Sequence, residues 1–299
     1  MVGDVARLKQ DGQMTDTAQT AADPRAQDPQ TQWARFRERR AESVVQPQGF
    51  LALTTTQWVT GTAEEPETIW GVPGRWATRP AGESGLRVFA DASDGIRVDG
   101  ELVDGEAVAR GKDDANPSRI VFSETVTGTV VHGEAGYALR VWDAESDAVR
   151  GFGSIDAFDY NPDWVVEARF SPSREGATVE FGHVKEEGRT RALEVPGEFS
   201  FTKDGVEYRL AAIPSGRALQ IVFSDATSGD STYSVGRFLF VAPRPDGSVT
   251  LDFNLAVLPP CAFSYAFNCP MPPAQNRFAV PIEAGEKNVL AKDGSLLHA

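Results

Sequence analysis

Phe199 to Leu210 reads Phe-Ser-Phe-Thr-Lys-Asp-Gly-Val-Glu-Tyr-Arg-Leu. Apolar and polar residues alternate on both sides of Lys203-Asp204-Gly205. Phe199 and Phe201 therefore share one face before the turn, and Val206, Tyr208 and Leu210 share one face after it. A period of two around an Asp-Gly pair is the signature of an antiparallel hairpin with one buried face.

The same period extends in both directions. Upstream, ATVEFGHV (Ala177 to Val184) and TRALEVPG (Thr190 to Gly197) alternate. Before them come GLRVFA with Leu86 and Val88, GIRVDGELV with Ile96 and Val98 around Asp99-Gly100, then SRIVFSE, GTVVHG, YALRVWD and WVVEARF. Asp94-Gly95, Asp104-Gly105, Asn116-Pro117 and Asn161-Pro162 supply turns at the short spacing of a sandwich or barrel. Downstream, ALQIVFSD and GRFLFVA are nearly continuous apolar runs and read as central strands buried on both faces. The expected fold is all-β: two successive antiparallel sandwich- or barrel-like units, covering 47–170 and 171–299, with polar SPSREG (Ser171 to Gly176) as the seam.

An amphipathic helix over 31–46 precedes them. TQWARFRERRAESVV places Trp33, Phe36 and Val44 near one face, the arginines Arg35, Arg37, Arg39 and Arg40 elsewhere, and Thr31 at the N-cap. Its expected role is to dock Trp33 and Phe36 on the body rather than to recruit a partner. Residues 1–30 carry no apolar periodicity and read as a disordered tail.

Composition narrows the function classes. At 299 residues with 41% hydrophobic content, the chain can bury a substantial core. Its 43 acids against 29 Lys and Arg give a formal charge of −14, which repels nucleic-acid backbones and anionic lipid surfaces. The sequence has no apolar run long enough for a membrane helix and no signal-peptide pattern, so the expectation is a cytoplasmic protein with no nucleic-acid or membrane partner. No fixed-period repeat, Walker loop, dinucleotide fingerprint, Gly-x-Ser-x-Gly elbow or His-Glu-x-x-His helix occurs.

Chemistry concentrates between Thr227 and Lys287. Cys261 and Cys269 lie in a segment rich in proline and aromatic residues. They admit three readings: structural thiols or a disulfide, a metal or redox site, or a nucleophile with His132 or His183 as base. The structural reading leads, because a zinc site wants three or four ligands at short spacings. A metal ion is the one cofactor left open, with no other cofactor expected. A disulfide closing this short loop contributes about 2.5 kcal/mol by chain-entropy arithmetic.

Arg237 sits in a segment too apolar for a surface strand, which calls for a paired cation, with Asp252 and Glu286 as candidate partners, or for an anchor that orients an anionic ligand. Asp225 to Thr232 form a hydroxyl- and acid-rich turn, read first as a self-bonded loop and second as a calcium loop. Tyr233, Asp252, Asn254, Ser264, Asn276 and Glu286 complete a candidate ligand-binding set with Arg237, interleaved with Phe253, Phe263, Tyr265, Phe267 and Phe278. The leading function is a non-catalytic binding module for a small anionic molecule or a peptide. An enzyme using Cys261 or a Cys/His-bound metal, and a protein-interaction scaffold, are the alternatives.

The same stretch carries a resemblance. Thr232-Tyr233, Gly236-Arg237-Phe238, Leu251 to Asn254, Pro260 to Phe263, Cys269-Pro270, Pro272-Pro273, Asn276-Arg277 and Ala284 to Lys287, preceded by Arg140 to Asp143 and Gly151 to Gly153, resemble the bacterial domain-of-unknown-function 1684 family over Gly49 to Lys287. The chain departs in having Leu-Pro-Pro before Cys261 where Asn-Pro is expected. The resemblance implies a β-rich protein and brings no assigned activity with it.

Overall fold

The structure, a computed structural model, describes residues 28–298. It is all-β apart from short helical segments, and every pair of strands in its sheets runs antiparallel. The predicted turns form. Asp99 and Gly100 both have positive φ in the hairpin joining Arg97–Val98 to Glu101–Leu102, as do Asp204 and Gly205 between Gly197–Lys203 and Val206–Ser215.

The first unit is a sandwich. A six-stranded sheet in the order Leu53–Trp58, Gly136–Asp143, Val126–Gly133, Ile120–Val121, Arg97–Val98, Glu101–Leu102 faces a four-stranded sheet of Glu67–Thr68, Arg75–Thr78, Leu86–Ala90 and Gly105–Ala109. Trp76, Leu86, Val88, Ile96, Ile120 and Leu139 fill the space between them. The second unit is a curled six-stranded sheet in the order Arg237–Val241, Ala218–Phe223, Val206–Ser215, Gly197–Lys203, Val165–Pro172, Ser248–Asp252. Phe199, Phe223, Phe253 and Phe278 pack at its centre.

The strand Val165–Pro172, which sequence order sets before the seam, pairs on both sides inside this second sheet. The apolar run Arg237–Val241 is an edge strand rather than the central strand expected, and Phe240 is 46% exposed. It tolerates so apolar a sequence because Phe238 exchanges backbone hydrogen bonds with Val257, which covers part of the open edge.

A third core joins the units. Ala52, Leu53 and Trp142 from the first meet Phe181, Val222, Phe238, Cys261, Phe267 and Cys269 from the second. The helix Pro29–Val44 lies across the second unit, and its N-cap is Asp28, not Thr31: the Asp28 carboxylate accepts the Thr31 N–H at 3.1 Å. Pro29 at the first helical position needs no N–H partner, which favours the earlier start. The expected disordered tail lies outside the described residues up to residue 27, while Pro29 and Gln30 are helical. Trp33 packs on Tyr160 and Phe36 joins the inter-unit core. Two of the arginines placed away from the docking face also point inward: Arg37 donates to the Ile155 carbonyl, and Arg40 to Glu286 and the Leu258 carbonyl. Among the described residues no helix is long and apolar enough to cross a membrane.

Candidate functional site

Most of the predicted binding set turns out to hold backbone together. Arg237 is 0% exposed and uses four of its five N–H hydrogens on protein oxygens. Nη2 donates to Asp225 Oδ2 at 2.7 Å and to the Ile282 carbonyl at 2.8 Å, and Nη1 donates to the carbonyls of Ala284 and Glu286. Its plane lies over Phe223 and Phe158. Burial lowers its pKa, and the carboxylate of Asp225 opposes that shift.

Of the two expected partners, Glu286 meets Arg237 through its carbonyl and not by a carboxylate bond, and Asp252 bonds elsewhere. Asp252 caps the turn at Asn254, and the Glu286 carboxylate takes Arg40 at 3.0 Å and the Leu258 N–H at 2.7 Å. Asp225 replaces them because its turn folds back on itself: its other oxygen accepts the Thr227 N–H, the Thr227 hydroxyl and the Ile282 N–H. The acid- and hydroxyl-rich turn is therefore an ion-pair cradle built from local hydrogen bonds. Gly236 has φ of 100°, and a Cβ there would meet the Phe223 carbonyl at 2.2 Å, so the residue before Arg237 must be glycine.

Asn276 and Asn254 play the same part. Asn276, fully buried, bonds the N–H and carbonyl of Ala211 and the carbonyl of Val222, each at 2.8 Å. Asn254 bonds the N–H and carbonyl of Asn161. The Ser264 hydroxyl donates to the Leu53 carbonyl at 2.6 Å, tying the cysteine loop to the first unit, and Tyr233 donates to the Cys261 carbonyl at 3.2 Å. The Tyr233 phenol is pushed up by burial.

Cys261 and Cys269 are both free thiols, 2% and 4% exposed. The Cys261 N–H donates to Cys269 Sγ at 3.3 Å, and the two thiols share a hydrogen bond that holds Cys261 below the ordinary thiol range and raises Cys269. Among the described residues no group of three or more His, Cys, Asp or Glu side chains could hold a metal ion. His132 is exposed on the first unit against Tyr137. His183 instead bridges Pro270 through its backbone, beside Cys269, and its Nδ1 is buried without a partner.

Sequence reasoning missed the cations that face this loop. Arg140, on the middle of Gly136–Asp143, lies over Phe267 at 5.5 Å and interacts electrostatically with Cys269. Burial lowers its pKa, and its Nε is enclosed without a hydrogen-bond partner. Thr56, its cross-strand neighbour on the same face, has an enclosed hydroxyl that is likewise unpartnered. Lys185, at the mouth of the hairpin after His183, interacts with both sulfurs. An arginine in an alternating strand gives no sign by itself; the signal available was its phase, which puts Arg140 with Trp142 and opposite the first-unit core residues Leu139 and Val141.

Residues 150–287 match the model of the family described as "Protein of unknown function (DUF1684)". The solution NMR structure of an uncharacterized protein of Haloarcula marismortui is 33% identical to this chain, with 46% of this chain and 77% of that one covered and a TM-score of 0.38. No curated protein matches the sequence. Matching that family's model over residues 150–287, and 33% identical to a relative of which it covers 77%, the chain belongs to the DUF1684 family.

Proposed function

We propose that the protein is a non-catalytic binding module for a small anion, a carboxylate or phosphate, taken at the seam between the first-unit sheet and the cysteine loop. The anchoring cation is Arg140, with Lys185 acting on the same Cys269 sulfur, rather than Arg237. One observation carries the reading: Arg140 Nε and the hydroxyl of Thr56, its directly paired cross-strand neighbour, are each enclosed with no partner. Each orphaned polar atom costs about 1–3 kcal/mol, a cost that an anion accepting from both groups would offset. Arg140 also makes no ion pair among the described residues, whereas Arg37, Arg40 and Arg237 each reach a carboxylate or a carbonyl.

Thermal unfolding of the full chain at constant ionic strength tests it. Phosphate or acetate should raise Tm over chloride, and Arg140→Gln should abolish the rise while leaving Tm in chloride unchanged. An equal response in wild type and variant removes Arg140 from any site.

A further inference from the structure

The cysteine pair carries chemistry beyond anion binding. Cys261 and Cys269 open and close the same short loop, the Cys261 N–H donates to Cys269 Sγ at 3.3 Å, and Ser264 and Tyr233 fix the loop from either side. One sulfur therefore already lies against the backbone of the other cysteine. Two cations face the sulfurs against the cost of burial: Lys185 acts on both and Arg140 on Cys269, and neither is neutralised by a carboxylate among the described residues. Tyr265 and Asn268, inside the loop between the two cysteines, are exposed.

We infer that Cys261 and Cys269 form a reversible redox pair that a small hydroperoxide oxidises to a disulfide. One thiolate attacks the terminal peroxide oxygen. The O–O bond breaks, the alkoxide leaves and takes a proton to become the alcohol, and that cysteine becomes a sulfenic acid. The second sulfur then attacks the first, the S–O bond breaks, and hydroxide leaves with the second thiol's proton as water. Two thiols and one hydroperoxide give one disulfide, one alcohol and one water; a low-mass thiol returns the pair to the reduced state by exchange.

The experiment is intact-mass spectrometry of the full chain treated with hydrogen peroxide, followed by dithiothreitol. The expected product is two hydrogens lighter, reversed by dithiothreitol, with no oxygen added at low dose. In Cys261→Ala or Cys269→Ala the remaining cysteine should instead accumulate as a sulfenic acid that dimedone traps. Arg140→Gln should slow disulfide formation in the otherwise wild-type chain severalfold. A wild-type chain that stays unmodified, or gains oxygen without ever losing two hydrogens, overturns the inference. That result needs no variant to fold, and it is separate from the anion reading, which phosphate-dependent Tm reports whatever the cysteines do.

Discussion

Arg237, fully buried, and Arg140, partly buried, both lay their guanidiniums over phenylalanine rings, yet only Arg237 meets protein oxygen. Arg237 meets one carboxylate and three carbonyls supplied by two turns. Arg140 meets an aromatic ring and a thiol. The difference separates a charge that holds the fold, its Nη hydrogens spent on oxygen and only Nε unpartnered, from a charge with no acceptor among the described residues.

The largest expected effect tests the completed side. Arg237→Ala leaves Asp225 buried without its cation and should cost about 3–5 kcal/mol in urea unfolding. A loss below about 1 kcal/mol would show that the pair is not the latch described. Next comes Asn276→Ala, which strips the partners from an N–H and two carbonyls in the interior and should cost about 3 kcal/mol. Arg40→Ala removes the charge-assisted bond to Glu286 that pins the N-terminal helix, for about 2 kcal/mol, and protease sensitivity of that helix should rise with it.

Smaller still is a pH effect in the first unit. Hydrogen bonds from Gly61 N–H and its neighbours hold the Glu67 carboxyl below the ordinary carboxylate range. A depressed folded-state pKa stabilises the protein above the unfolded value, and that contribution disappears as pH falls through the folded one. Glu67→Gln should therefore flatten the acid side of the stability profile without changing its slope above neutrality. The smallest change closes the comparison: Arg140→Met should shift stability by no more than about 0.5 kcal/mol, in contrast to the loss at Arg237, because it removes an unsatisfied charge. A multi-kcal/mol loss there would make Arg140 a second structural arginine and end the proposed anion site.

Much of the β architecture was legible from alternation and turn chemistry. Asp99-Gly100 and Asp204-Gly205 adopt the positive φ that their hairpins require, and Leu86, Val88, Ile96 and Phe199 point to the core as their phase demands. These are local properties, set within a few residues. The site was read less well. Asn276, Asn254 and Glu286 were recognisable as polar residues in an apolar stretch, but an amide that bonds a ligand and one that bonds backbone look alike in sequence. Arg237 was correctly identified as needing a partner, and the partner was misassigned because Asp225, Asp252 and Glu286 are equally acidic on paper.

By itself the sequence determined the strands, the tight turns, the need to neutralise Arg237, and a pair of cysteines eight positions apart. Tertiary structure alone decided which acid answers which arginine, that Arg237–Val241 lies at an edge, and that Arg140 reaches across from the first unit to the cysteine loop. The physical reason is range. Alternation and φ preference are fixed by neighbours in the chain, whereas burial and pairing depend on which distant segments meet, and the energy of a charge depends chiefly on what meets it.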